Sequence, residues 1–212
     1  MRGRLALAIS VAALLWFYMF SPWTHGAPNF WICMSVSAIV LTALAVSSFA
    51  GMHADLHIEK PLLQLLGGVA LAFALWGIFW IGDKLSGLMF DFARPQVDSV
   101  YSMKDGLPAT LIAFLLLFLI GPAEEFFWRG YVHRTFVSIF KDKRFGADIA
   151  FLVTAAIYAL VHIWSFNFML VMAALVAGAV WGFVYRLQPK ALPALIVSHA
   201  LWDALVFVIM PI

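Results

Sequence analysis

Three stretches of this 212-residue chain set ionisable or hydrogen-bonding side chains one helical turn apart: Glu124, Glu125 and Arg129; Tyr158 and His162; His199 and Asp203. Carboxylates beside histidines can move protons, hold a metal or stabilise charge, and an arginine four residues on can fix one of them in place. All three stretches lie in strongly apolar sequence. A charge inside a lipid-spanning helix costs about 2.5–3.5 kcal/mol or more, so such groups turn toward one another and mark a functional interior.

Within Gly121-Pro-Ala-Glu-Glu-Phe-Phe-Trp-Arg-Gly130 the two carboxylates have different prospects. Neighbours on a helix point about 100° apart, whereas Glu125 and Arg129 share a face. Glu125 with Arg129 reads as a buried salt bridge, equally able to clamp helices together. Glu124 turns to another face and is the better chemical candidate. His162 follows Tyr158 by one turn, and His199 and Asp203 reach the same side of the last apolar segment. A carboxylate beside a histidine fixes the ring's tautomer, which suits catalysis or metal binding alike.

The elements that must position these groups are membrane helices. Of the residues, 65% are hydrophobic and 11% charged, with mean hydropathy +0.99, against roughly 25% charge in soluble domains. The fold class is therefore all-α: a polytopic transmembrane bundle, one integral membrane domain over residues 1–212. Apolar stretches approaching the roughly 20 residues that cross a bilayer fall at Leu5–Phe20, Phe30–Ala50, Leu62–Ile81, Leu107–Val137, Ala147–Trp164, Phe168–Tyr185 and Ala191–Met210. That makes seven spans, or eight if the short apolar run Leu85–Phe92 forms a re-entrant half helix. Residues 1–106 supply the N-terminal helices and an outer loop, Gly82–Gly106; residues 107–212 hold every polar motif.

The fourth stretch would reach roughly 46 Å at 1.5 Å per residue, against a hydrocarbon core of about 30 Å. Pro122, next to Gly121 and just before the glutamates, is the expected break. With the N-terminus inside, the inner segments hold Arg2, Arg4, Lys60, Arg134, Lys141, Lys143, Arg144, Arg186 and Lys190, and the outer ones only Lys84, Arg94 and Lys104. Nine against three favours that orientation. The first span, with Arg2 and Arg4 ahead of it and no small-residue cleavage site after it, reads as a retained anchor.

Other features have simpler readings. The single cysteine, Cys33, reads as a small buried hydrophobe and leaves the redox compartment open. His25, His53 and His57 fall in loops or at span ends, and His133 with Arg134 is expected near the cytoplasmic interface. The nine tryptophans read as interfacial anchors and packing residues. Gly178 and Gly182 form a small-xxx-small pair for close helix approach. A net charge of +2 gives no reason to expect a nucleic-acid partner.

Glu-Glu-x-x-x-Arg at 124–129, aromatic-x-x-x-His at 158–162 and His-x-x-x-Asp at 199–203, in this order on successive apolar segments, resemble the CPBP family of CAAX proteases and bacteriocin-processing enzymes. The resemblance covers the chain from about Leu107 onward. It implies a multi-helix intramembrane endopeptidase whose cavity opens to the cytoplasm or to lipid. On that resemblance Glu124 matches the catalytic glutamate and His162 its partner in activating water. His199 and Asp203 match the pair that stabilises the oxyanion, and Glu125, Arg129 and Tyr158 match supporting positions.

Tyr158 stands where the family usually has Phe, and Asp203 where the prenyl-protein enzymes have Asn. An ionised Asp203 cannot donate to an oxyanion, so it must carry a proton or act by orienting His199. The expected function is hydrolysis of a peptide bond in a membrane-associated protein or peptide, in a bacterial cytoplasmic membrane. No cofactor is required on the favoured glutamic-type reading; zinc held by Glu124, His162, His199 and Asp203 is the rival. The alternatives in other classes are a non-catalytic immunity or binding protein on the same scaffold and a proton-coupled transporter. The sequence leaves the oligomeric state open.

Overall fold

The computed structural model describes residues 2–24, 29–46 and 54–212, and among them the chain is helical with no strand. In chain order the helices are α1 (Arg2–Phe20), α2 (Phe30–Val46), α3 (Pro61–Met89), a short α4 (Ala93–Tyr101), α5 (Ala109–Phe140), α6 (Gly146–Ser165), α7 (Phe168–Leu187) and α8 (Pro189–Ile209). Six of them are long and apolar enough to cross a membrane. With the 17-residue α2 they account for the seven expected spans.

Lipid replaces water as the outer solvent, and the burial pattern reflects it. Leu14, Leu62, Phe118 and Leu152 point outward and exposed, while each helix turns a stripe inward. On α1 the stripe is Leu5, Ala8, Ala12 and Trp16, spaced three or four apart. One continuous core cluster runs from Leu5 to Val206. Helices α3 and α8 run side by side in the same direction, tied by Gln64 Nε2 donating to the Lys190 carbonyl at 3.1 Å and Trp76 Nε1 donating to the Met210 carbonyl at 2.8 Å.

The two ends of the bundle differ. One, the basic end, carries Lys60, Lys141, Lys143, Arg144 and Lys190. At the other, α4 lies across the helix ends: Asn167 Nδ2 donates to the Gln96 carbonyl at 2.7 Å, and Tyr101 donates to the Val206 carbonyl at 3.2 Å.

Two expectations change. The third span does not stop near Ile81, and Leu85–Phe92 is not a separate half helix: α3 continues through Leu85 to Met89. Asp83 permits this by pairing with Lys84 at 3.1 Å and with Arg94 at 2.9 Å, so the helix carries its charges out without leaving them unpaired. The extra helix of the outer loop is α4 instead. The second helix is described to Val46; the expected extension to Ala50 lies outside the described residues, as do His25 and His53.

The expected break at Pro122 is displaced: Gly121 and Pro122 sit in regular helix, and α5 departs from regular winding on either side of them. Widened turns with i→i+5 spacing over Leu116–Ile120 and Phe126–His133 bracket the α-helical Gly121–Glu125. Proline supplies no amide hydrogen to a helical ladder, and widened turns of this kind recur at functional sites. At Gly121 the backbone of α8 comes so close that an added Cβ would lie 2.6 Å from Ala200 Cα, so only glycine lets the glutamates approach His199.

Candidate active site

All the singled-out residues are buried, and they converge. Glu124, Tyr158, His162, His199 and Asp203 line one cavity of about 110 Å³ near the α4 end, walled also by Phe20, Phe30, Trp31 and Met34 of α1 and α2. Glu125 and Arg129 lie just behind it and are essentially inaccessible.

The two glutamates point to different partners. Glu124 Oε2 accepts a hydrogen bond from the Tyr158 hydroxyl at 3.0 Å, and the carboxylate keeps further lone pairs, on Oε2 as well as on its other oxygen, for a ligand. Glu125 Oε1 accepts from Arg129 Nη1 at 2.6 Å and from His199 Nδ1 at 2.7 Å. Arg129 in turn donates to the Gly178 carbonyl at 3.3 Å and lies over the rings of Tyr158 and Trp181, 5.0 and 5.3 Å from their centres. Gly178 and Gly182 do bring α7 close: a Cβ at Gly178 would sit 2.8 Å from the Tyr158 ring and one at Gly182 3.1 Å from Phe151.

His199 is therefore oriented by Glu125, not by Asp203. Its Nδ1–H is used, and its ring stacks on Trp181 at 3.9 Å with 19° between planes. Nε2 faces the cavity, 3.6 Å from Asp203 Oδ2 and 4.0 Å from Glu124 Oε2. Those separations exceed a direct hydrogen bond and suit a small molecule lodged between the three groups.

His162 sits in a tightened turn, Val161–Ser165, that ends α6 before Phe166 adopts a left-handed φ of 50°. Its Nδ1 is 2.8 Å from the Tyr158 carbonyl, which can only accept, so Nδ1 carries the proton. Nε2 accepts from the indole N–H of Trp16 on α1 at 3.0 Å. No hydrogen bond or ion pair among the described residues joins His162 to Glu124 directly.

Trp16 is a contact that sequence reasoning missed. The tryptophans divide between the two expected roles, with Trp16, Trp31, Trp128 and Trp181 packed among the most deeply buried side chains and Trp23 and Trp80 exposed as anchors would be, but the hydrogen bond from Trp16 to a site histidine was not expected. His133 also departs from expectation. Rather than sitting solvated at an interface, it is fully buried, 5.0 Å from the Tyr185 ring, with neither ring nitrogen hydrogen-bonded. Beyond it Tyr185 donates to Asp55 Oδ2 at 2.6 Å, and Arg134 pairs with the same carboxylate. His57 is exposed and Cys33 half-buried.

The zinc alternative needs Glu124, His162, His199 and Asp203 to offer lone pairs to one point. His162 spends Nε2 on Trp16 and Nδ1 on a carbonyl, and among the described residues no group of three or more His, Cys, Asp or Glu is arranged to hold a metal ion. As placed, His162 would have to release Trp16 before it could join such a site.

Fold and site together define a multi-pass helical membrane protein with an ionisable cluster enclosed in its bundle. Residues 106–205, which include every candidate site residue, match the family model described as type II CAAX prenyl endopeptidase Rce1-like, so the CPBP resemblance drawn from the motifs holds over that segment. No curated protein and no solved structure matches the chain.

Proposed function

We propose that the protein is a metal-free intramembrane endopeptidase in which Glu124 is the general base. The observation that carries this reading is the convergence of Glu124 Oε2, His199 Nε2 and Asp203 Oδ2 around one space in a buried cavity. A water lodged there gives a proton to Glu124 as its oxygen bonds to the carbonyl carbon of the substrate. The carbonyl oxygen takes up the negative charge, and donors aimed at that atom lower the barrier. In this scheme His199 is an imidazolium, donating from Nδ1 to Glu125 and from Nε2 to the oxyanion, and a protonated Asp203 carboxyl is the second donor. The C–N bond then breaks, and Glu124 returns its proton to the leaving amine.

Glu125 and Arg129 keep His199 in its orientation, and Tyr158 holds Glu124 by a hydrogen bond to Oε2. His162 holds its ring by Nδ1–H on the Tyr158 carbonyl and joins the water only by exchanging the Trp16 N–H for it at Nε2. The residues 107–212 carry the chemistry and residues 1–106 complete the cavity wall.

Comparison of new C-termini in the membrane proteome of cells carrying the wild type or Glu124→Gln tests the activity. Termini that vanish in the variant are expected; identical termini under inducing conditions would refute proteolysis and leave the non-catalytic binding role. Chelator treatment of the purified protein tests the mechanism, and activity that falls with the chelator and returns with zinc overturns the metal-free scheme.

A further inference from the structure

The site lies off-centre along the bundle, and every helix agrees on the direction. The cavity touches α1 at Phe20, its last residue, and α2 at Phe30 and Trp31, its first two. It touches α7 at Leu170 and Ala173, in its first two turns, and α8 at Asp203 and Phe207, near its close. All of these lie toward the α4 end. At the same end a second, apolar cavity of about 370 Å³ runs between α3, α4, α7 and α8, and it shares Val100, Leu170, Ala173, Trp202 and Phe207 with the first. The two cavities adjoin at these residues.

Toward the basic end the described residues pack the interior. Below the cavity come the buried Glu125–Arg129 pair, then His133 against Tyr185, then the Asp55 carboxylate held by Tyr185 and Arg134. Phe127, Trp128, Val132 and Trp181 fill the space around this column with at most 1% exposure. Among the described residues this packed column separates the cavity from the basic end.

Charge then sets the side. Nine Lys and Arg residues flank the basic end and three the α4 end, which has Asp83, Asp91, Asp98 and Asp105 beside them. Cytoplasmic segments retain Lys and Arg, so the basic end faces the cytoplasm. Building on the endopeptidase reading, and against the cytoplasmic opening that the CPBP resemblance implies, we propose that the cavity is entered from the extracytoplasmic side, and that the bond it cleaves lies in the extracytoplasmic half of the bilayer, next to apolar residues of the substrate polypeptide that occupy the adjoining cavity between α3 and α7.

Cysteine accessibility tests this on the whole protein, with the sole cysteine removed by Cys33→Ser. Single cysteines are placed in the α4-end loop (Asp91→Cys), in the basic loop (Lys143→Cys) and among the residues that line both cavities (Ala173→Cys, with Val100→Cys as a second probe). Intact cells are then exposed to a charged, membrane-impermeant methanethiosulfonate. Asp91→Cys and at least one cavity probe are expected to react before the membrane is opened, and Lys143→Cys only afterwards. Cavity probes that react only after opening, or from neither side, overturn the proposal, as does an inverted result for the two loops. Labelling needs no turnover, so the side of entry can fail while Glu124-dependent cleavage stands, and the reverse.

Discussion

The half of the bundle nearer α4 and the half nearer the basic loops both bury charged groups, and they use them in opposite ways. Near α4, Glu124, His199 and Asp203 stand 3.6 to 4.0 Å apart around an open space, each with capacity to bind something more. Toward the basic loops, Glu125–Arg129 and the Asp55, Tyr185 and Arg134 group make direct contacts with packed rings around them. Buried charge that is paired fixes geometry, and buried charge held just beyond contact distance is available for chemistry.

The sharpest way to break this contrast is at the adjacent glutamates. Glu124→Gln keeps size and the Tyr158 contact and removes the proton acceptor; proton transfer by a positioned side chain contributes about 10²–10⁴-fold, and a loss of that order in cleavage rate is expected with the melting temperature in detergent unchanged. Glu125→Gln or Arg129→Met should do the reverse first. Removing one partner of a buried pair costs about 3–5 kcal/mol, so these variants are expected to melt earlier, with activity lost because His199 is released. Equal melting temperatures for Glu124→Gln and Glu125→Gln would erase the distinction.

A finer comparison concerns the two histidines. His199 is held by a carboxylate and His162 by a neutral indole, so only the second hold can be exchanged for water at little cost. Trp16→Phe preserves most of the ring packing and removes the donor. It is expected to leave the cleavage rate within about a few-fold of wild type, since one neutral hydrogen bond is worth roughly 0.5–1.5 kcal/mol. A loss as large as that of Glu124→Gln would mean that the indole N–H acts in the reaction itself.

What could be read from the sequence follows from distance along the chain. Groups one turn apart announce their shared face, so Glu125 with Arg129 and Tyr158 with His162 were visible, whereas the irregular winding of α5 falls on either side of Gly121-Pro122 rather than at it. Apolar run lengths placed the spans, except where Asp83 and Lys84 carried α3 past its expected end. Contacts between distant helices left no such mark. Trp16 and His162 are 146 positions apart, and Glu125 and His199 are 74 apart. His133 was misplaced because α5 is long and basic at its close, while its widened turns and the cover of Tyr185 keep that ring inside. A regular-helix reading has no term for either.

The smallest expected effect lies outside the membrane, at the basic end. Glu59 and Lys190 pair at 2.6 Å, both exposed, and the hydrogen bond from Lys190 holds the Glu59 carboxyl below its ordinary value of 4.5. A depressed carboxyl contributes stability that is complete above its unfolded-state value and disappears as pH falls through the folded one, so any contribution is present at neutral pH and gone in acid. Solvent screens such pairs, and their measured worth is small. Glu59→Gln should therefore leave the melting temperature at pH 7 indistinguishable from wild type and abolish only a slight difference between pH 7 and acid. A marked drop at pH 7 would show that the connection between α2 and α3 is held at this surface pair rather than by Asp55 within the bundle, and would move the structural use of charge from the buried column to the loops.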